Sequence, residues 1–196
     1  MTGTDGDHLF RRTLAYLGFK GDADEEQKAM VEDAIKEAKR YARPQFVYKF
    51  IKLIKEEDGS YSADAPLNVS YGALQKMFSK GDCDSLCVLV STLGSATDMR
   101  IARLSDSDAS RMIMVDAASN ALIEEETNAF QKKLGLSDET FRFAPGYGDV
   151  PLSMQKEIFD LMPEISKIGI KLDDSNFMHP MKSMTGLIGF KGNGQI

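Results

Sequence analysis

The sequence predicts a single α+β domain over residues 1–196. Apolar residues recur at helical spacing over residues 23–42 and again from residue 108 to 134, whereas residues 46–55 follow the period of two that is typical of a strand. The run at 85–93 is continuously apolar, as in a buried central strand. At about 150 residues per domain, this length corresponds to roughly one domain. No internal repeat, low-complexity linker or domain boundary divides the chain.

The N-terminal quarter of the chain is predicted to be helical. A short helix over residues 8–19 is expected to end at Gly18, and a longer amphipathic helix covers residues 23–42, with Pro44 marking its exit. The apolar face of the longer helix is predicted to carry Met30, Ala34, Ala38 and Tyr41.

The next segment is predicted to contain the first strands. Residues 46–55 predict a half-buried strand that an Asp58-Gly59 turn follows. Residues 67–80 predict a short strand and then a helix, and residues 85–93 the central strand. One side of the first strand is expected to carry Phe46, Tyr48, Phe50 and Lys52.

The second half of the chain continues the mixed pattern. A helix is predicted over residues 95–104, and Ser107 or Asp108 is expected to cap a second helix that ends near Leu134. Small residues at 117–121 allow another backbone to approach this second helix closely. Pro151 is predicted to start a further helix through Met162, because proline fits the first turn. Two late strands are predicted at 168–172 and 184–190.

Composition and charge exclude several classes of function. The chain carries 24 basic and 30 acidic residues, a net charge of −6, which disfavours a broad surface for nucleic acid or for an anionic membrane. No apolar run approaches the roughly 20 residues that span a bilayer. The N-terminus has no signal-peptide pattern and there are only two cysteines, so we expect a cytoplasmic protein.

Motifs for metal or covalent catalysis are missing from the sequence. His8 and His179 form no metal-ligand pattern. Cys83 and Cys87 are interpreted as small apolar residues at the central strand. The aspartate pairs at 106/108 and 173/174 are interpreted as caps and turns, since neither continues into a calcium loop. There is no phosphate-binding glycine loop and no nucleophile elbow. We therefore predict no metal site and no catalytic residue.

Residues 142–151 remain as the candidate binding segment. Arg142 offers a planar fork for a carboxylate or phosphate. Gly146 allows a ligand to approach the backbone, and Tyr147 supplies an aromatic face. Together they would suit a flat heterocycle with an acidic tail. The alternative on composition alone is an ordinary Pro-Gly turn beside a surface arginine.

The stretch RFAPGYGDVP at 142–151 resembles the Arg-x-x-x-Gly-Tyr motif of the activation domain of vitamin B12-dependent methionine synthase. Three further stretches are similar to that family in the same order along the chain. These are VLVSTLGSATD at 88–98, DAASNALIEEE at 116–126 and HPMKSMTGLIGF at 179–190. The resemblance implies a curved, mainly antiparallel sheet with packed helices.

The resemblance also implies a binding site for S-adenosylmethionine. Arg142 would pair with the carboxylate of the methionine moiety, while main-chain groups of Ala144 and Gly146 would lie near the adenine, beside Tyr147. A glutamate of the upstream helix would contact the ligand, and Glu124 is the expected counterpart, with Glu125 and Glu126 as the alternatives in register. Ser183 and Gly186 match the second signature and would support the site.

In this family such a domain supports the reductive reactivation of cob(II)alamin by methyl transfer from S-adenosylmethionine. The implied partners are a corrinoid-binding methyltransferase or methionine synthase core, which would hold the cobalamin, and an electron donor such as a flavodoxin or ferredoxin. The chain would be at most a component of that enzyme system.

Two alternatives stay open. Full synthases continue well beyond the second signature, whereas this sequence ends at Ile196. This favours a non-catalytic adaptor that docks to a corrinoid protein and keeps a vestigial ligand site. A third, weaker option is a site for a different small molecule that bears a carboxylate.

Overall fold

Residues 5–21 and 23–192 are described by a computed structural model of the chain. Six α-helices, one 3₁₀ helix and six strands lie within the described residues. In chain order they are α1 Asp5–Tyr16, α2 Glu25–Tyr41, β1 Gln45–Lys55, β2 Tyr61–Ala63, α3 Gly72–Gly81, β3 Ser85–Thr92, α4 Ser95–Ser107, α5 Ala109–Leu134, α6 Met154–Leu161, the 3₁₀ helix Pro163–Ile168, β4 Lys171–Leu172, β5 Met178–His179 and β6 Ser183–Phe190.

The main sheet of the described chain has the order β2-β1-β3-β6, and each neighbouring pair is antiparallel. The sheet is curled, with helices packed against it. Every residue of β3 is buried, since this strand has a partner on both edges and apolar side chains on both faces, as its continuous apolar run predicts. The predicted curved antiparallel sheet with packed helices is therefore confirmed.

The sheet has a buried apolar layer on each face. On one face, Leu86 and Val88 of β3 pack with residues of α3, α6 and the 3₁₀ helix. On the other face, Leu89 of β3 and Ile188 of β6 pack against the C-terminal half of α5. The N-terminal half of α5 buries its small residues against α1, α2 and α4. Helix α5 thus joins the sheet to a helical layer, and no helix in the described ranges is both long and apolar enough to cross a membrane.

The predicted starts of α2 and α5 agree with the side-chain caps that form. The Asp24 side chain accepts a hydrogen bond from the Gln27 backbone, and the Gln27 side chain accepts one from the Asp24 backbone, which is a capping box. Asp108 caps α5 by accepting from the Arg111 backbone. The predicted buried face of α2 needs one correction: Met30 is 40% exposed, and Val31 is buried instead.

Two other predictions of local structure are wrong, and one short strand was missed. Residues 67–71 form no strand; the hairpin partner of β1 is β2, only three residues long, which follows the Asp58-Gly59 turn directly. Pro151 does not occupy the first turn of a helix, because α6 begins at Met154. Strand β5 was not predicted, since two residues are too short to show a period.

A charged cluster ties three helices together. The Glu37 carboxylate of α2 accepts hydrogen bonds from Arg100 of α4 and from Arg111 of α5. Burial by itself raises the pKa of Glu37, but the two arginines outweigh burial and hold the pKa below its usual value. The cluster therefore stabilises the helical layer when Glu37 is ionised.

Candidate ligand-binding site

A cavity of about 360 Å³ opens where α5, the chain after it and the start of β6 meet. Its volume lies within the range of small-molecule sites. The lining combines one carboxylate, one guanidinium and three aromatic rings with smaller side chains: Glu124, Phe141, Arg142, Phe143, Ala144, Tyr147, Met184 and Thr185.

Backbone pairing positions the arginine of this cavity. Residues 137–143 run antiparallel along the outer edge of β6, and Phe143 exchanges two hydrogen bonds of 2.9 and 2.7 Å with Leu187. Thr140 adds a hydrogen bond of 2.8 Å from its N–H to the Gly189 carbonyl. Arg142 lies within this paired segment, so its backbone is held at the sheet rather than in a free loop.

The Arg142 side chain lies between β6 and α5. A Cβ atom at Gly186 would come within 2.2 Å of the Arg142 Cδ atom, so the stem crosses β6 where the strand has no side chain. Arg142 Nη1 donates to Gln131 Oε1 on α5 at 2.8 Å. Burial lowers the pKa of the guanidinium, and the charge of Glu124 partly offsets this. Arginine nevertheless stays protonated at neutral pH.

Glu124 reaches the cavity from α5 and also contacts the first helix. Arg12 of α1 forms an ion pair with Glu124, and the Tyr16 hydroxyl donates to the same carboxylate. Burial and then the bond to Glu124 raise the pKa of Tyr16 to about 12, so this phenol stays protonated. Glu125 and Glu126 are half-buried but do not line the cavity.

The loop that carries Tyr147 is a tight turn. Gly146 has a φ of +93°, which a residue with a side chain rarely adopts. Its N–H donates to the Val150 carbonyl at 2.9 Å, which closes the loop. Asp149 then accepts hydrogen bonds of 2.7 and 3.0 Å from the first two N–H groups of α3, those of Gly72 and Ala73. The Tyr147 ring is left 69% exposed at the cavity.

A second cavity, of about 430 Å³, lies beside the first. Most of its lining surface is apolar and comes from Leu152, Phe177, Met178 and Met181. Polar residues, among them Ser183, complete the lining. Thr185 lines the first cavity, and its hydroxyl donates at 3.0 Å to Gln155, which lines the second. The two cavities therefore share a wall.

The structure brings four of the five predicted ligand-binding residues to one cavity: Glu124, Arg142, Ala144 and Tyr147. Gly146 shapes the adjoining turn without lining the cavity. The two residues of the second signature separate: Gly186 lies under Arg142, whereas Ser183 lines the neighbouring cavity and donates to the Pro180 carbonyl at 2.7 Å.

Sequence reasoning missed the contribution of α1. Arg12 and Tyr16 are separated by one helical turn, so they lie on the same face. That spacing shows that the two side chains are neighbours, but nothing in it indicates a carboxylate more than 100 residues away. Gln131, which anchors Arg142, was also not predicted.

The fold and the cavity define an α+β domain with a half-buried arginine at a small-molecule-sized cavity, and comparison with known proteins gives its family. Residues 63–194 match the family model of the vitamin B12 dependent methionine synthase, activation domain. The match covers more than half of the chain, so the chain belongs to this family, as the sequence motifs predicted.

Among solved structures, the chain is similar to the crystal structure of the MetH reactivation domain bound to AdoHcy. The TM-score is 0.67 at 17% identity, and the similarity covers 92% of this chain and 75% of that one. At this identity the likeness shows the fold. Comparison with curated protein sequences gives no significant match.

Proposed function

We propose that the cavity at Arg142 binds S-adenosylmethionine, and that the chain supports reductive reactivation of a corrinoid held by a separate methyltransferase or methionine synthase core. One observation carries this proposal: Glu124, Arg142, Ala144 and Tyr147 line a single cavity. The AdoHcy bound to the MetH reactivation domain adds support, since S-adenosylhomocysteine is what remains of S-adenosylmethionine after methyl transfer.

The charges of the cavity suit the amino-acid end of this ligand. Arg142 keeps its charge and presents a planar set of donors to a carboxylate. Glu124 supplies negative charge for the ammonium and sulfonium groups. The Gln131 amide holds one end of the guanidinium, so less side-chain freedom is lost when the carboxylate binds.

The rings and the turn suit the adenosyl end. Phe141 and Tyr147 are 67% and 69% exposed and line the same cavity, so either ring has a free face for stacking on adenine. Ala144 has a small side chain at the cavity wall, which leaves its main chain accessible to hydrogen bonds from the base. Gly146 keeps the turn tight enough to place Tyr147 there.

The chemistry requires positioning rather than acid–base catalysis. The bound ligand would supply its sulfonium methyl group to a corrinoid that an external donor, such as a flavodoxin or ferredoxin, has reduced by one electron. The residues of this chain hold the carboxylate, orient the sulfonium and exclude water from the reacting atoms. No general acid or base is needed, in keeping with the sequence prediction of no catalytic residue.

The surface around the two cavities is suited to docking of the corrinoid protein. Four large apolar side chains are more than half exposed at the cavities: Phe141, Tyr147, Phe177 and Met181. Neighbouring exposed apolar residues mark interaction surfaces. We expect this contact to be transient, because the two proteins must separate during turnover.

Calorimetric titration of the purified chain with S-adenosylmethionine tests the ligand site. We expect binding by the wild type and at least a tenfold loss of affinity in Arg142→Ala, because a charge-assisted hydrogen bond contributes about 1.5–3 kcal/mol. Arg103→Ala is the matched control: Arg103 is exposed on α4 and lies outside the cavity lining.

Each outcome assigns a function. Binding that Arg142→Ala loses and Arg103→Ala keeps supports the ligand site. A folded wild type that does not bind at millimolar ligand contradicts it and favours the adaptor hypothesis. Under that hypothesis the chain should still co-purify with a corrinoid protein, with no ligand bound.

A further inference from the structure

The ion pair between α1 and α5 has a consequence for which ligand the cavity prefers. Arg12 contacts one carboxylate oxygen of Glu124 and Tyr16 donates to the other. Both oxygens of Glu124 are therefore engaged by groups of this chain, and one of those groups carries a full positive charge. The Arg12 and Glu124 side chains are 32% and 30% exposed, so water screens their charges only in part.

Two charged side chains of the described residues line the cavity, Arg142 and Glu124, and Arg12 contacts Glu124 from α1. Arg12 is close enough to act on Arg142, whose pKa its charge lowers. Glu139 also acts on Arg142, but it is exposed and does not line the cavity, so solvent weakens its effect. Arg12 thus cancels much of the negative charge that Glu124 presents to a bound cation.

The two adenosyl ligands differ in one charge. Each carries a carboxylate and an ammonium group, but S-adenosylmethionine carries a sulfonium where S-adenosylhomocysteine has a neutral thioether. Any positive charge within about one Debye length of that sulfur disfavours the sulfonium ligand. The sulfur of a bound ligand would lie within this distance of Arg12. The cavity is only about 360 Å³, and it is lined by Glu124, which Arg12 contacts.

We propose that Arg12 is a specificity-determining residue that shifts the preference of this cavity from S-adenosylmethionine toward S-adenosylhomocysteine. The inference rests on the proposed function, because it requires that the cavity binds an adenosyl ligand. It assigns to α1 a part in ligand choice that the motifs at 116–126, 142–151 and 179–190 do not contain. Tyr16 does not share this part, since it binds Glu124 as a neutral phenol.

Parallel titration with both ligands tests the inference at low ionic strength. The measured quantity is the ratio of the Kd for S-adenosylmethionine to the Kd for S-adenosylhomocysteine, in which any general loss of folded protein cancels. Arg12→Gln removes the charge, and we expect it to lower this ratio about fivefold. Arg12→Lys keeps the charge, and its ratio should stay within a factor of two of the wild type.

A control variant separates the local effect from the total charge. Lys39→Gln removes one exposed positive charge from α2, away from the cavity lining, and should leave the ratio unchanged. The inference is overturned if Arg12→Gln leaves the ratio within a factor of two, or if Arg12→Lys changes it as much. If the wild type binds neither ligand, the proposed function itself is wrong.

Discussion

Gly186 has no side chain, and this is what allows Arg142 to lie across β6. In Gly186→Ala the new Cβ would meet the Arg142 stem at 2.2 Å from Cδ and 2.4 Å from Cγ. Real Cβ contacts are never this short, so the stem has to leave the strand. The guanidinium would then lose its place between β6 and Gln131. We therefore predict that Gly186→Ala impairs binding by displacing Arg142.

The magnitude follows from the interaction that is lost. A charge-assisted hydrogen bond contributes about 1.5–3 kcal/mol, which corresponds to a roughly ten- to 150-fold increase in Kd. The loss of stability should be smaller, because the clash falls on a flexible side chain rather than on backbone. Gly186→Ala should therefore separate affinity from stability.

Gly189→Ala is the matched control on the same strand. Its Cβ would meet Cys83 Sγ at 2.7 Å and Phe78 at 3.2 Å, which are core atoms on the opposite face of the sheet. Overpacking of this kind costs about 1–3 kcal/mol of stability. Because Arg142 is not touched, the affinity of the folded Gly189→Ala protein should stay at the wild-type value.

Calorimetric titration with S-adenosylmethionine and thermal unfolding of both variants give the two readouts. A third variant, Arg142→Ala combined with Gly186→Ala, should unfold at a higher temperature than Gly186→Ala alone and bind no more weakly than Arg142→Ala alone. The reasoning is refuted if folded Gly186→Ala binds as tightly as the wild type, or if both glycine variants lose affinity equally.

Two further predictions concern the elements that carry the site. Since the pKa of Glu37 is held below its ordinary 4.5, its ionised form stabilises the fold above that pH, and this contribution is lost as the pH falls through the lowered value. Glu37→Gln should lower the free energy of unfolding by about 2 kcal/mol at pH 7. The variant should also lose less unfolding free energy than the wild type as the pH falls below 4.5. An unchanged dependence of unfolding free energy on acid pH would contradict this. Asp149→Ala should lower the unfolding free energy by about 1 kcal/mol, because α3 loses its N-terminal acceptor. Asp149→Asn, which keeps one oxygen, should lose less in chemical denaturation, and equal losses would exclude capping as the cause.

Sequence periodicity predicted most of the long elements. Helices α2 and α5 and strands β1 and β3 lie where the patterns placed them, because each is long enough for its apolar face to recur several times. The errors fall on short elements. Strands β2 and β5 have three and two residues, and such lengths depend on a neighbouring strand rather than on their own pattern.

Some residues of the candidate site were likewise predictable from the sequence, whereas others required the tertiary structure. Arg142 and Tyr147 were found because residue types with distinct chemistry lie close together in one motif. Resolving Glu124 from its two neighbours required the turn of α5, since only one of three successive helical residues faces a given cavity. The contacts of Arg12 with Glu124 join residues 112 positions apart, and no spacing in the sequence relates them.

By itself, the sequence determined the family and the α+β class and predicted four of the residues at the cavity, because motif order and apolar period are local properties of the chain. The tertiary structure decided how those residues work together. It alone shows that Gly186 makes room for Arg142, that Ser183 lines a neighbouring cavity, and that Arg12 forms an ion pair with Glu124. The physical reason is that packing and electrostatic pairing depend on distance in space, which the folded sheet and helices set and the order of residues does not.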